Sequence, residues 1–70
     1  SVLAVSDAGC SAVLLKAAVQ AAYLNVLVNR QTVRDGDGTD DALAALLRMT
    51  EEDMAVCDDV YEKVLLRLKK

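Results

Sequence analysis

The sequence has no histidine, proline, phenylalanine or tryptophan, and it has only two cysteines. Without histidine, no serine or cysteine in the chain has its usual general base, and two cysteines alone are too few ligands for zinc. Cys10 and Cys57 lie 47 positions apart, which is not the spacing of a dense disulfide framework. These absences argue against nucleophilic catalysis and against a metal site, and they favour free thiols in a cytoplasmic protein.

Positive charge is also sparse, with eight lysines and arginines against eleven acidic residues. The basic residues are scattered, whereas phosphate binding needs them clustered on one face, so we expect no nucleic-acid partner. The first residues lack the basic leader of a signal peptide. Polar residues interrupt the one stretch that approaches a membrane span, namely Asp7, Lys16, Gln20, Asn25 and Asn29. We therefore expect a soluble, cytoplasmic chain that enters no membrane.

Alanine, valine and leucine dominate the remaining sequence, and they favour helices with apolar contacts. From Ser6 to Arg30 the chain is apolar almost all the way round a helix. A surface helix normally buries one stripe and exposes the other. One partner helix cannot cover such a surface, and 70 residues make at most one small domain. We expect the chain to form a homo-oligomer or to pack against the remaining part of a larger domain.

Local signals divide the chain into two helices. Ser6-Asp7 has the pattern of an N-cap followed by a carboxylate in the first turn, which predicts a first helix over about residues 6–31. Asp35-Gly36-Asp37-Gly38 predicts a turn, and a second helix is expected over about residues 40–69. The predicted fold class is all-α. Residues 1–70 form one antiparallel hairpin, with a buried first helix and a long amphipathic second helix, inside a larger or oligomeric bundle.

The second helix carries an apolar seam whose members are separated alternately by four and three residues. The seam consists of Leu43, Leu47, Thr50, Met54, Cys57, Tyr61, Val64 and Leu68. Thr50-Glu51-Glu52-Asp53 has the pattern of a new helix start. Because the seam passes through this segment in register, one long helix is favoured over two.

The acidic turn is a poor calcium loop. An EF-hand loop with Gly38 in its sixth position would have Val33 in its first and Ala44 in its twelfth, where carboxylate ligands are needed. The segment is therefore expected to be a turn without a metal.

A line of polar residues runs along the first helix. At 100° per residue they fall within an arc of about 40°, with Ala18 and Ala22 between them, whereas Lys16 and Gln20 project from the opposite side. The members of this polar stripe are Asp7, Ser11, Asn25 and Asn29. Buried polar groups need hydrogen-bond partners. The stripe therefore either links neighbouring helices or lines a ligand cavity.

Two segments resemble the cyclodeaminase/cyclohydrolase domain, the C-terminal half of formiminotransferase-cyclodeaminase, which also occurs as stand-alone bacterial methenyltetrahydrofolate cyclohydrolases. Members carry Ser-Asp-Ala-Gly at the head of a hydrophobic helix, matched by Ser6-Asp7-Ala8-Gly9. An asparagine motif follows in the family, matched by Ala22-Tyr23-Leu24-Asn25-Val26 and Asn29. The likeness is close from Val5 to Arg30 and loose beyond. The family domain is a longer helical bundle, so the chain corresponds to its C-terminal portion.

Some positions depart from the family pattern. Val2-Leu3-Ala4-Val5 replaces an asparagine-rich segment, Ala21 replaces a glycine, and Val28 and Arg30 flank Asn29 in place of isoleucine and leucine. The helices outside the match would supply much of the folate pocket. We therefore expect the 70 residues to be inactive alone.

The resemblance implies a tetrahydrofolate derivative as substrate, whose one-carbon bridge is closed by loss of ammonia or opened by water. Both reactions need an anionic group near a cationic carbon. The resemblance makes Asp7 the candidate catalytic residue, with Ser6, Ser11, Asn25 and Asn29 as candidate ligand-binding residues. Deaminase and hydrolase chemistry both stay open. The alternative is a non-catalytic oligomerisation or interaction module, in which the polar stripe joins helices.

Overall fold

The computed structural model describes residues 1–30 and 39–70, which form two helices. Helix α1 spans Val2–Arg30 and helix α2 spans Thr39–Leu68. They pack against each other as a hairpin that measures 52 × 16 × 13 Å. The predicted all-α hairpin is confirmed. The predicted turn at residues 35–38, together with its calcium alternative, lies outside the described residues.

Helix α1 begins four residues earlier than predicted. The Ser1 hydroxyl oxygen accepts a hydrogen bond from the Ala4 amide at 3.2 Å, and the Ser1 carbonyl accepts one from the Val5 amide at 3.1 Å. Ser1 is therefore the N-cap, and the first turn contains no acidic residue. The prediction that Ser6 caps the helix and that Asp7 lies in its first turn was wrong, because the apolar run that precedes Ser6 also continues the helix.

Helix α2 is continuous through Thr50, as predicted. Thr50 is only 7% exposed, and its hydroxyl donates to the Leu46 carbonyl at 2.8 Å within the same helix. The hydroxyl is thus satisfied at the centre of the helix–helix contact. The predicted seam is correct along most of its length, but Leu46 and Val60 are less exposed than Leu47, which lies at the edge of the contact.

The contact face of α1 recurs every three or four residues along the helix. Apart from Ser6, the α1 positions that are not fully exposed are Val5, Gly9, Ala12, Lys16, Val19, Tyr23, Leu27 and Arg30. Gly9 and Ala12 are the buried residues of the helix, so the two backbones approach closely at its N-terminal end. A Cβ atom built on Gly9 would lie 2.9 Å from Cγ1 of Val64. A larger residue at position 9 would therefore force Val64 or the helices to shift.

Among residues 1–30 and 39–70, two ion pairs join the helices. The Lys16 ammonium lies 2.7 Å from the Asp58 carboxylate, and the Arg30 guanidinium pairs with Asp40 in the first turn of α2. Lys16 lies on the contact face, and its Nζ donates to the carboxylate from the edge of the contact. The cation that interrupts the apolar helix is thereby explained by contact with α2.

Much apolar surface stays exposed. The accessible surface is 5,525 Å², against about 4,200 Å² for a compact protein of this mass. Exposed fractions on α1 are 77% at Leu3, 69% at Leu14 and 63% at Leu24. By length and composition α1 could also cross a membrane, a test that the core helix of a soluble protein passes equally. The hairpin alone leaves α1 largely uncovered.

Candidate functional site

The polar stripe lies on the face of α1 that points away from α2. Its four members are all exposed, and so are Ala18 and Ala22 between them. At 100° per residue, the stripe is centred about 140° from the contact face. Asp7, Ser11 and Asn25 therefore lie on the outer side of α1, away from its contact with α2.

Asp7 lies in the second turn of α1, where its backbone amide is engaged by the helix itself. It is therefore not stabilised by unpaired amides at the helix terminus, a role that the predicted helix start had implied. Within the described residues the Asp7 carboxylate forms no ion pair. The cations that pair across the hairpin, Lys16 and Arg30, bind Asp58 and Asp40. The Asp7 side chain is exposed on the outer face of α1.

The remaining candidate side chains are placed differently. Ser11 donates its hydroxyl hydrogen to the carbonyl of Asp7 at 2.8 Å, so this side chain has an acceptor oxygen left for a ligand. Ser6 is half-buried beside the contact face. Asn25 is exposed, and Asn29 is exposed but interacts within its own chain.

Distance along the helix separates the stripe into two polar groups. Asp7 and Ser11 lie about 6 Å apart along the axis, as do Asn25 and Asn29, but about 21 Å of helix separates Ser11 from Asn25 at 1.5 Å per residue. A compact ligand on one copy of the chain therefore meets one group and not the other. The structure does not bring the five predicted site residues together.

Grooves lie along the sides of the hairpin among the described residues. One of about 500 Å³ has no member of the polar stripe in its lining, which consists of Gln20, Tyr23, Leu24, Leu47, Thr50, Glu51 and Met54. Two smaller grooves of about 260 and 170 Å³ flank Ala8 and Ala22 respectively. The sequence analysis did not predict that Gln20 and Glu51 line the same groove. Gln20 could have indicated it, because it is a carboxamide on the side of α1 opposite the stripe.

The described residues include both cysteines of the chain. No group of three potential metal ligands occurs among those residues. Cys10 is exposed and Cys57 half-buried, and both are free thiols. The pairing of Gly9 with Val64 and of Lys16 with Asp58 places the cysteines at levels about six residues apart along the hairpin.

Comparison with known proteins decides the family. The sequence profile of formiminotransferase-cyclodeaminase matches residues 1–46 of the 70. This chain belongs to that family. The match includes all five candidate site residues, and it extends beyond the predicted close likeness into the first turns of α2. No curated protein and no solved structure matches the chain.

Family membership confirms the resemblance inferred from the two motifs and gives the chain a folate-related cyclodeaminase context. The structure gives Gly9, the last residue of the Ser6-Asp7-Ala8-Gly9 motif, a packing role, because Val64 of α2 lies against the α1 backbone there. Membership does not assign individual residues. The roles of Asp7, Ser6, Ser11, Asn25 and Asn29 remain predictions, as do the cytoplasmic location and the partners.

Proposed function

We propose that the chain is part of a folate-dependent cyclodeaminase or methenyltetrahydrofolate cyclohydrolase domain, and that it contributes Asp7 to a tetrahydrofolate pocket completed by further protein. The observation that carries this proposal is the family match over residues 1–46, which contains both motifs. That match favours a folate enzyme over a non-catalytic association module.

The exposure of Asp7 supports a pocket formed with other protein. The carboxylate is exposed on the outer face of α1 and forms no ion pair among the described residues. Covering that face would leave a charge that needs a partner, since a buried unpaired carboxylate is costly. A cationic one-carbon bridge or a pterin N–H group supplies such a partner. Asp7 would then stabilise the positive carbon toward which N10 or a water molecule moves.

The asparagines have an orienting role in this proposal. A carboxamide offers two N–H donors and one acceptor oxygen, so it can fix the position of a ring with mixed donors and acceptors. Asn25 is exposed on the same face as Asp7 but is about 27 Å from it along α1. Asn25 and Asp7 therefore serve one ligand only if different copies or further helices bring the two polar groups together. The chain alone is expected to be inactive.

Titration with 5-formyltetrahydrofolate tests the proposal, using the chain and any longer protein that contains it. We expect Asp7→Asn to weaken binding about 10- to 100-fold, the equivalent of a charged hydrogen bond of about 1.5–3 kcal/mol. Glu52→Gln removes the same charge from an exposed position on α2 and serves as the matched control. The proposal is contradicted if neither the chain nor the longer protein binds saturably, or if Asp7→Asn binds as tightly as the wild type. Circular dichroism verifies that both variants keep their helices.

A further inference from the structure

The groove lined by Gln20 and Glu51 carries polar groups that the hairpin leaves without partners. Among the described residues, Glu51 forms no ion pair, and neither the Gln20 carboxamide nor the Tyr23 hydroxyl forms a hydrogen bond. The Thr50 hydroxyl, by contrast, donates to the Leu46 carbonyl. Packing between the helices therefore explains the buried threonine of the groove but not its carboxylate, carboxamide and phenol.

The rest of the lining is apolar and comes from both helices. It consists of Leu24 from α1, of Leu47 and Met54 from α2, and of the ring of Tyr23. Leu24 is 63% exposed and Leu47 is 38% exposed, so the groove opens to solvent. Its volume of about 500 Å³ lies within the usual range of small-molecule sites, about 300–1,000 Å³. Apolar walls with a few polar groups are the ordinary composition of such sites.

The charge of the lining favours a cation. Among the described residues that line the groove, Glu51 alone is charged. Lys16, one turn before Gln20 on α1, is already paired with Asp58 at 2.7 Å. The chain has a net charge of -3, so the surrounding field also attracts positive ligands. A neutral apolar ligand would remove water from the carboxylate without supplying a partner, which is costly, whereas a cation pairs with it.

The walls of the groove suit a flat aromatic ring. Methionine sulfur makes favourable contacts with aromatic rings, and the ring of Tyr23 stacks on other rings and attracts cations to its face. We propose that the groove binds a planar aromatic cation, whose ring lies against Leu24 and Met54 and whose positive nitrogen pairs with Glu51. The Gln20 carboxamide, which has both donors and an acceptor, then orients polar groups on the edge of the ring.

This groove is separate from the site of the folate proposal. Gln20 lies on the side of α1 opposite the stripe, and about 20 Å separate it from Asp7 along the axis at 1.5 Å per residue. A small ligand in the groove therefore does not reach Asp7. The inference goes beyond the folate proposal, because 5-formyltetrahydrofolate is an anion and does not meet the requirement for positive charge beside Glu51.

Fluorescence titration with proflavine tests the binding. Proflavine is a planar three-ring cation in neutral buffer, and acridine has the same three rings without the charge. We expect saturable proflavine binding with a dissociation constant on the order of 100 µM, the strength typical of about 16 non-hydrogen atoms in an open site. Acridine should bind at least about threefold more weakly, because it leaves Glu51 without a charged partner. This preference for the cation should disappear in Glu51→Gln.

Two matched pairs of variants test the charge and the wall. Glu51→Gln should weaken proflavine binding at least about threefold, the loss of one charged partner at a partly exposed site. Glu52→Gln removes the same charge from the adjacent exposed position outside the groove and should leave binding within about 1.5-fold. Leu24→Lys adds a cation to the wall and should weaken binding at least about tenfold. Leu14→Lys adds the same charge on the outer face, where Leu14 is 69% exposed, and should change binding less than about twofold.

Proton NMR locates the bound cation. The chain has no phenylalanine, tryptophan or histidine, so the aromatic signals of the protein come from Tyr23 and Tyr61 alone. Proflavine in the groove should give intermolecular Overhauser effects to Tyr23 and none to Tyr61, which does not line the groove. Tyr61→Phe assigns the two rings. Circular dichroism verifies that each variant keeps its helices, and if Leu24→Lys does not fold, the comparison of Glu51→Gln with Glu52→Gln decides.

Three outcomes overturn the proposal. The first is proflavine binding that does not saturate below about 5 mM, which would show that the groove holds no aromatic cation. The second is equal weakening in Glu51→Gln and Glu52→Gln, which would assign the binding to diffuse negative charge on α2. The third is a set of Overhauser effects to Tyr61 without Tyr23, which would place the cation elsewhere. None of these readouts involves tetrahydrofolate, so this proposal and the folate proposal fail separately.

Discussion

Replacing Gly9 with alanine measures how closely the two helices approach. The added methyl group would lie 2.9 Å from Val64 Cγ1 and 3.5 Å from its Cβ, closer than van der Waals contact at the first of these atoms. Val64 is β-branched and is held in one rotamer within a helix, so it cannot turn aside cheaply. Overpacking of this kind costs about 1–3 kcal/mol.

Helix propensity acts in the opposite direction. Alanine is favoured over glycine in a helix interior by about 1 kcal/mol. The net effect of Gly9→Ala is therefore a loss of between zero and about 2 kcal/mol in the free energy of unfolding. In a Val64→Ala background the clash is removed, and the same substitution should stabilise the hairpin by about 1 kcal/mol. The difference between the two backgrounds is an expected coupling of about 1–3 kcal/mol.

Urea denaturation followed by circular dichroism measures all four variants of this cycle. The protein concentration is kept constant, because association would shift the midpoint. Ala17→Gly, at an exposed position of α1, gives the propensity term alone and should cost about 1 kcal/mol. If Gly9→Ala stabilises the chain equally in both backgrounds, the helices do not touch at this point and the hairpin packing described above is refuted.

Three further predictions concern titration and thiol chemistry. The pKa of Lys63 is raised above its ordinary value of 10.5 by its hydrogen bond to Asp59 and then by the charge of Asp59, so this contribution to stability is complete below pH 10.5 and is lost as pH rises through the higher folded-state pKa. Lys63→Gln should therefore lose less stability than the wild type above pH 10.5, as urea midpoints measured across that range will show, and an identical loss in both proteins would contradict it. Cys10 should react with a thiol reagent faster than the half-buried Cys57. Mild oxidation should form no disulfide within one chain, because the cysteines lie at levels about 9 Å apart; a Cys10–Cys57 peptide in a mass spectrum would show that the register is wrong.

The sequence was sufficient to predict the two helices because α1 is a long apolar run with no internal proline and α2 has a long alternating seam. The alternating spacing through Thr50 outweighed the local pattern of a helix start there, and the continuous α2 confirms that reasoning. The positions of polar residues on α1 were also informative. Lys16 lies opposite the stripe and binds Asp58 of α2, so it belongs to the contact between the helices, whereas the stripe lies on the uncovered face.

The start of α1 could not be predicted from capping patterns alone. Both Ser1 and Ser6 are acceptable N-caps, and a cap contributes only about 1 kcal/mol. Residues 2–5 gain helical hydrogen bonds and have no breaker among them, so the helix continues back to Val2. The error mattered because it assigned Asp7 an environment of unpaired amides that the structure does not provide. The close approach at Gly9 was likewise not predictable, because it depends on which residue of α2 lies opposite.

The charge of Asp7 limits what can cover the outer face of α1. An apolar face as large as that of α1 gains free energy when it is covered, yet covering it removes water from a carboxylate that has no cation beside it in the described residues. Whatever covers the face must therefore supply donors or positive charge at this position. A cationic folate bridge supplies such charge, and a carboxylate also accepts hydrogen bonds from a pterin N–H. Asp7→Leu should consequently abolish saturable binding of 5-formyltetrahydrofolate in a titration, because leucine neither pairs with a cation nor accepts a hydrogen bond. Binding as tight as that of the wild type would contradict the folate proposal.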